Sequence, residues 1–150
     1  MLDKRFWMKI ATEVVSKYNV HIFGTKSKGM KAKDVFGKDY PDYKDKGKAK
    51  KKGTGHRQRE AYKNSKAPVY SGDLMNDFQL RKTKSSGFSF GTTVWGSKVK
   101  RLLEQDRVIS SEKQPIPKEI ISFINKEADK YVKKQFRKIK GKKININISK

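Results

Sequence analysis

Apolar residues in this chain are gathered into a few periodic blocks, and between the first and second lies a stretch, residues 25–66, with no period at all. That partition limits the fold more than any single motif, because only periodic blocks can bury a continuous face against one another. In the first block Leu2, Phe6, Ile10 and Val14 recur at spacing four, with Trp7, Ala11 and Tyr18 widening the same face. The spacing predicts an amphipathic helix over residues 2–18, with Asn19 as its stop and a short strand at Val20, His21, Ile22 and Phe23 before Gly24. Phe6 and Trp7 are expected in the core.

In the second block Phe78, Leu80, Phe88, Phe90 and Val94 all occupy even positions on either side of Lys84, Ser85, Ser86 and Gly87. This is the pattern of a β-hairpin with one buried face, its strands over residues 77–83 and 88–95. Ser97 is placed to cap a short helix bearing Val99, Leu102 and Leu103, and Val108 and Ile109 begin a brief extended piece. Pro117 suits the first turn of a long helix whose one side carries Ile120, Ile124, Ala128, Tyr131, Gln135 and Ile139, joined by Ile121, Val132 and Phe136. Gly141 ends that helix. Ile144, Ile146 and Ile148 then alternate with Asn145 and Asn147 in a strand or tail over residues 142–150. The expected fold class is α+β in a single domain over residues 1–150: an N-terminal helix, a small antiparallel β-sheet, a long C-terminal helix packed on it, and a long basic loop.

Residues 25–66 form that loop or arm. They hold five glycines, and Lys44, Lys46, Lys48, Lys50, Lys51 and Lys52 crowd around a single acid, Asp45. A stretch so polar and self-repelling buries too little apolar area to offset the entropy of ordering it. Val35, Phe36, Tyr40 and Tyr43 are expected to tack its first half to the body, and Arg57 to open a short helix over residues 57–64.

The formal charge of +23 at pH 7 demands a polyanion or an acidic partner. Residues 20–66 alone carry fifteen basic side chains against five acidic ones, whereas residues 67–114 carry eight against five. Lysines outnumber arginines 31 to 7, which favours point-charge attraction to phosphates over the bidentate fork that reads guanine edges. Lys44, Lys46, Lys48, Lys50, Lys51, Lys52, Arg57 and Arg59 are therefore the expected contacts to DNA or another polyanion, by non-specific electrostatics. The absence of cysteine excludes disulfides and Cys-ligated metals and fits a reducing compartment. No apolar run approaches the roughly 18 residues of a membrane span, and residues 1–5 lack the pattern of a signal peptide, so use without export and without a membrane is expected.

An ordered series of small motifs runs through the middle of the chain: Gly37, then Tyr40-Pro41, the lysine run, Ser71-Gly72-Asp73-Leu74, Gly91-Thr92 after the hairpin, and Ile116-Pro117-Lys118 before the long helix. In that order the chain resembles the phage virion-morphogenesis family of tail-completion and head-tail joining proteins, over roughly residues 35–139. It departs from that family where Trp95-Gly96 and Leu103-Glu104-Gln105-Asp106 replace a Tyr-Ala and a His-Gln-x-Gly stretch, and it has Tyr40 and Lys118 where Trp and Arg are usual. The resemblance implies a structural protein of the virion neck or tail top, present in the host cytoplasm during assembly. It would form a ring of its own copies that joins the portal or connector to the tail around the DNA path. Ile144, Ile146 and Ile148 would then serve as an assembly contact. The rival reading is a non-specific nucleic-acid-binding protein, ribosome- or nucleoid-associated, which composition fits as well.

Catalytic chemistry is poorly represented. Pro41-Asp42-Tyr43-Lys44 has the look of half a metal-dependent nuclease site, but in an aperiodic stretch it reads as a solvated acidic turn. His21 and His56 stand far apart with no carboxylates at ligand spacing. Gly53-Thr54-Gly55 has no preceding strand and no following Lys-Ser/Thr, so it is not a phosphate loop. Ser71-Gly72 reads as a tight turn rather than a nucleophile. No enzyme activity, cofactor or metal is expected.

Overall fold

The structure, a computed structural model, describes residues 2–25, 32–41, 68 and 73–140. The elements are helix α1 (Lys4–Phe23), a short helix α2 (Asp73–Asp77), strands β1 (Gln79–Lys84) and β2 (Gly87–Gly91), helix α3 (Gly96–Leu103) and helix α4 (Lys118–Lys140). The described residues are α+β: α1 packs against both the two-stranded antiparallel sheet and α4, so the long C-terminal helix lies chiefly on α1 and not, as the sequence predicts, on the sheet.

Helix α1 starts where the Asp3 carboxylate accepts the backbone N–H of Phe6 at 2.9 Å, which satisfies one of the orphan donors of the first turn. It does not stop at Asn19, and the strand expected at Val20–Phe23 is helical. The reason lies in the apolar stripe: Val14, Tyr18 and Ile22 continue at spacing four, and all three are buried together with Phe23. Termination falls instead to Gly24, at φ 76, whose N–H bonds the Val20 carbonyl. Asn19, within the helix, donates its side-chain amide to the Phe78 carbonyl at 3.1 Å.

The hairpin forms, but shorter than the even-position pattern predicts. Asp77 belongs to α2, and Val94 lies beyond β2 and is 70% exposed. A β-bulge falls between Leu80 and Lys82, so that Leu80 pairs with Phe90 but Thr83, an odd position, pairs with Phe88. Phe78, Phe88 and Phe90 do face inward: Phe78 stacks on Tyr18 with ring centroids 5.1 Å apart, Phe90 meets Tyr18 edge-on at 5.0 Å, and Phe88 meets Trp7 at 6.0 Å. Phe6 packs against Trp7 as expected.

Helix α4 runs antiparallel to α1. Glu119 lies 3.7 Å from His21, the Lys17 ammonium sits over the Phe123 ring, and Tyr131 meets both Phe6 and Asp3. Pro117 precedes the helix, and its carbonyl receives the first two N–H groups, from Ile120 and Ile121. Ile120 is buried and Ile124, Ala128 and Tyr131 pack on the core, whereas Ile121, Phe136 and Ile139 of the predicted face are exposed.

Candidate polyanion and assembly surfaces

The eight residues expected to contact a polyanion, Lys44 through Lys52 as named above with Arg57 and Arg59, lie outside the described residues, as do Ile144, Ile146 and Ile148. The same holds for Tyr43, His56, Ser71-Gly72, the helix expected over residues 57–64 and the helix end at Gly141. What the structure places is residues 32–41, which precede the lysine run in the sequence.

Residues 32–41 fold into a small knot, closed by an isolated bridge between Lys33 and Asp39. Asp34, buried, accepts the N–H groups of Phe36 and Lys38 at 2.9 and 2.7 Å, an Asx-type turn in which the carboxylate replaces missing backbone partners. Val35 and Tyr40 are buried as anticipated, but Phe36 is 47% exposed, because this turn directs it outward. The knot is stitched to the body by distant hydrogen bonds. His21 Nε2 donates to the Asp34 carbonyl at 2.9 Å, Val35 N–H to Val108 at 2.8 Å, and the Gln114 amide to the Val35 carbonyl at 2.6 Å. At its end, Arg107, 2% exposed, donates one guanidinium nitrogen to the Pro41 carbonyl at 2.6 Å and another to Gln105 at 3.2 Å. A buried guanidinium requires such acceptors. The first predicted contact, Lys44, follows Pro41 by three positions in the sequence, and Pro68, the next described residue, is buried.

A second fixed point lies at Asp77. Its Oδ2 accepts the N–H groups of Thr93, Val94 and Trp95 at 2.8, 2.9 and 3.2 Å, while Oδ1 accepts the Thr93 hydroxyl at 2.9 Å and pairs with Arg81 at 2.9 Å. Burial alone would raise this carboxyl's pKa, but the N–H groups of Trp95, Val94 and Thr93 with the Thr93 hydroxyl outweigh it and hold the group well below the ordinary carboxylate range. Ser97 is not the cap of α3. The residue before the helix is Trp95, with no side-chain cap of its own, and Asp77 instead fixes the three residues that lead into the helix, its full charge accepting the successive N–H groups of Thr93, Val94 and Trp95. Trp95 also lies under the Lys98 ammonium, 3.7 Å from its ring centroid.

Between α1 and β1 runs a shallow groove of about 390 Å³ lined by Val15, Asn19, Val20, Met75, Phe78 and Leu80 among others, with no acidic side chain. Among the described residues no group of three or more His, Asp or Glu side chains is placed to hold a metal ion, and no helix is long and apolar enough to cross a membrane. Sequence reasoning missed Asp77, Arg107 and Asp34 as organising residues. A lone acid or arginine carries no periodic signal, and each acts on partners brought near only by the fold.

The geometry thus defines an α+β arrangement in which residues 32–41, just before the lysine run, are fixed to the body. Compared with known proteins, the chain matches no family model, and neither a curated protein nor a solved structure matches it.

Proposed function

We propose that this protein is a structural component of a phage neck or tail top, assembled from its own copies as a closed ring that joins the portal or connector to the tail around the DNA path. The role is architectural, and no catalytic step is assigned to it. The observation that carries the proposal is the rooting of the basic segment: Arg107 grips the Pro41 carbonyl at 2.6 Å immediately before the lysine run. A lysine-rich arm gains most from a fixed root, since the charges are then presented to one side of the domain rather than dispersed around it. The ordered motifs from Gly37 to Ile116-Pro117 support placing that arm at the virion neck. In this reading Ile144, Ile146 and Ile148 add a strand to a neighbouring subunit, for which β1 and β2, paired only with each other among the described residues, offer free edges.

The test is assembly without the protein. Heads and tails that form but fail to join are the expected result, and normal infectious particles would overturn the proposal. The net charge of +23 by itself favours the second reading, a non-specific nucleic-acid-binding protein. Co-sedimentation with ribosomes or nucleoids in cells that make no virions would select it.

A further inference from the structure

Helix α4 outruns the helix it packs on. Glu119 faces His21, Phe123 faces Lys17, and Tyr131 faces Phe6 and the Asp3 cap at the start of α1. Beyond Tyr131 α1 has ended, so residues 132–139 project about 12 Å further at the rise of an α-helix. The apolar stripe nevertheless continues through Val132, Phe136 and Ile139 at spacings of four and three, and Phe136 and Ile139 are 62% and 64% exposed. Around them stand Lys133, Lys134, Arg137 and Lys138, with no acidic residue in these two turns.

A helix end that merely meets water is polar all round; this one keeps two large apolar anchors inside a ring of cations. Duplex DNA would satisfy the cations and leave both anchors in water. A lipid surface calls for a broad apolar face along a whole helix, wider than two side chains. A second copy is disfavoured by charge, because two such ends repel and the α1–β1 groove has no carboxylate to receive one.

We propose that the end of α4 docks into an apolar groove rimmed by carboxylates on a different protein. Phe136 and Ile139 enter the groove as i, i+3 anchors, and the four basic side chains meet the rim, speeding encounter and excluding uncharged grooves. The inference stands apart from the neck role and holds for any partner of this chemistry.

The full-length protein is titrated with a designed helical hairpin that displays a leucine-lined groove edged by glutamates, and separately with poly-glutamate, duplex DNA and phosphatidylglycerol vesicles. The hairpin is expected to bind more tightly than poly-glutamate. The double variant Phe136→Gln/Ile139→Gln should weaken hairpin binding at least tenfold while leaving poly-glutamate binding and the circular dichroism unchanged. Met8→Gln, at an apolar position on α1 that is 58% exposed, should change nothing. The proposal fails if the hairpin binds no better than poly-glutamate, if the double variant binds it normally, or if vesicles are the tighter ligand. It fails equally if the double variant abolishes self-association, or if the hairpin binds only after residues 141–150 are removed.

Discussion

The Tyr18 hydroxyl donates to the Ile109 carbonyl at 2.6 Å, a bond between the middle of α1 and the segment that follows α3. Both residues are buried, at 1% exposure each, so the bond has no water to replace it. Tyr18→Phe keeps the ring contacts with Phe78 and Phe90 and orphans the carbonyl. It should cost about 1–2 kcal/mol in urea unfolding. Burial also pushes the phenol's pKa above its ordinary value of 10.0. A raised native pKa means that this group's contribution is whole below about pH 10 and is lost as the pH rises from there. The variant's stability should therefore fall less steeply than the wild type's on the alkaline side.

Asp77 gives the opposite limb. Its native pKa is depressed from 3.8, so its contribution is present at neutral pH and disappears as the pH falls below about 4. Asp77→Asn should lower the thermal midpoint at pH 7 and flatten the acid limb between about pH 4 and 2. An unchanged acid limb would mean that another carboxylate governs it.

Arg107 holds the root of the basic segment. Arg107→Met removes the donors to Pro41 and Gln105 and should destabilise the protein by about 2–3 kcal/mol; Arg107→Lys, a single ammonium in place of a planar fork, should recover only part of that. Proteolysis near residue 41 should become faster in both variants. Protection equal to wild type would show that the root is held by the Val35 and Gln114 bonds alone.

Binding to duplex DNA should be indifferent to sequence and steeply dependent on salt. Replacing Lys48, Lys50, Lys51 and Lys52 by Gln should reduce the slope of log affinity against log salt by about 3–4, near 0.9 for each phosphate that is no longer neutralised. A slope that does not change would shift the contact to the basic face of α4, and an absence of binding in the wild type would point to an acidic protein partner.

The parts of the fold written in the sequence are those that depend on local period. The stripe from Phe6 to Tyr18, the inward phenylalanines of the hairpin and the run from Ile120 to Tyr131 are visible because neighbours three, four or two positions apart share a face. Asn19 misled as a helix stop, since its side-chain bond is to Phe78, far along the chain, and this compensates for its weak helix preference. Phe136 and Ile139 share the period of the core without sharing the core; periodicity reports which side of a helix is apolar, not how far the partner helix extends. The roles of Asp77 and Arg107 were illegible for the same reason, because neither a carboxylate's donors nor a guanidinium's acceptors can be named until the hairpin and the knot at residues 32–41 are in place.

The bulge in β1 changes the phase in which that strand must be read. Up to Leu80 the even positions pair with the phenylalanine face of β2, and from Lys82 onward the odd ones do, so that Thr83 is the half-buried residue between two exposed lysines. Arg81 is the inserted letter, its guanidinium tied to Asp77 and to the Gly91 carbonyl. Deleting it would therefore restore an unbroken alternation, since Leu80 and Lys82 already oppose the consecutive residues Phe90 and Ser89. Lys82 would stay opposite Ser89 and Thr83 opposite Phe88, so both lysines would keep to the outer face and the strand would lose its bend and the Arg81 ties rather than its facing.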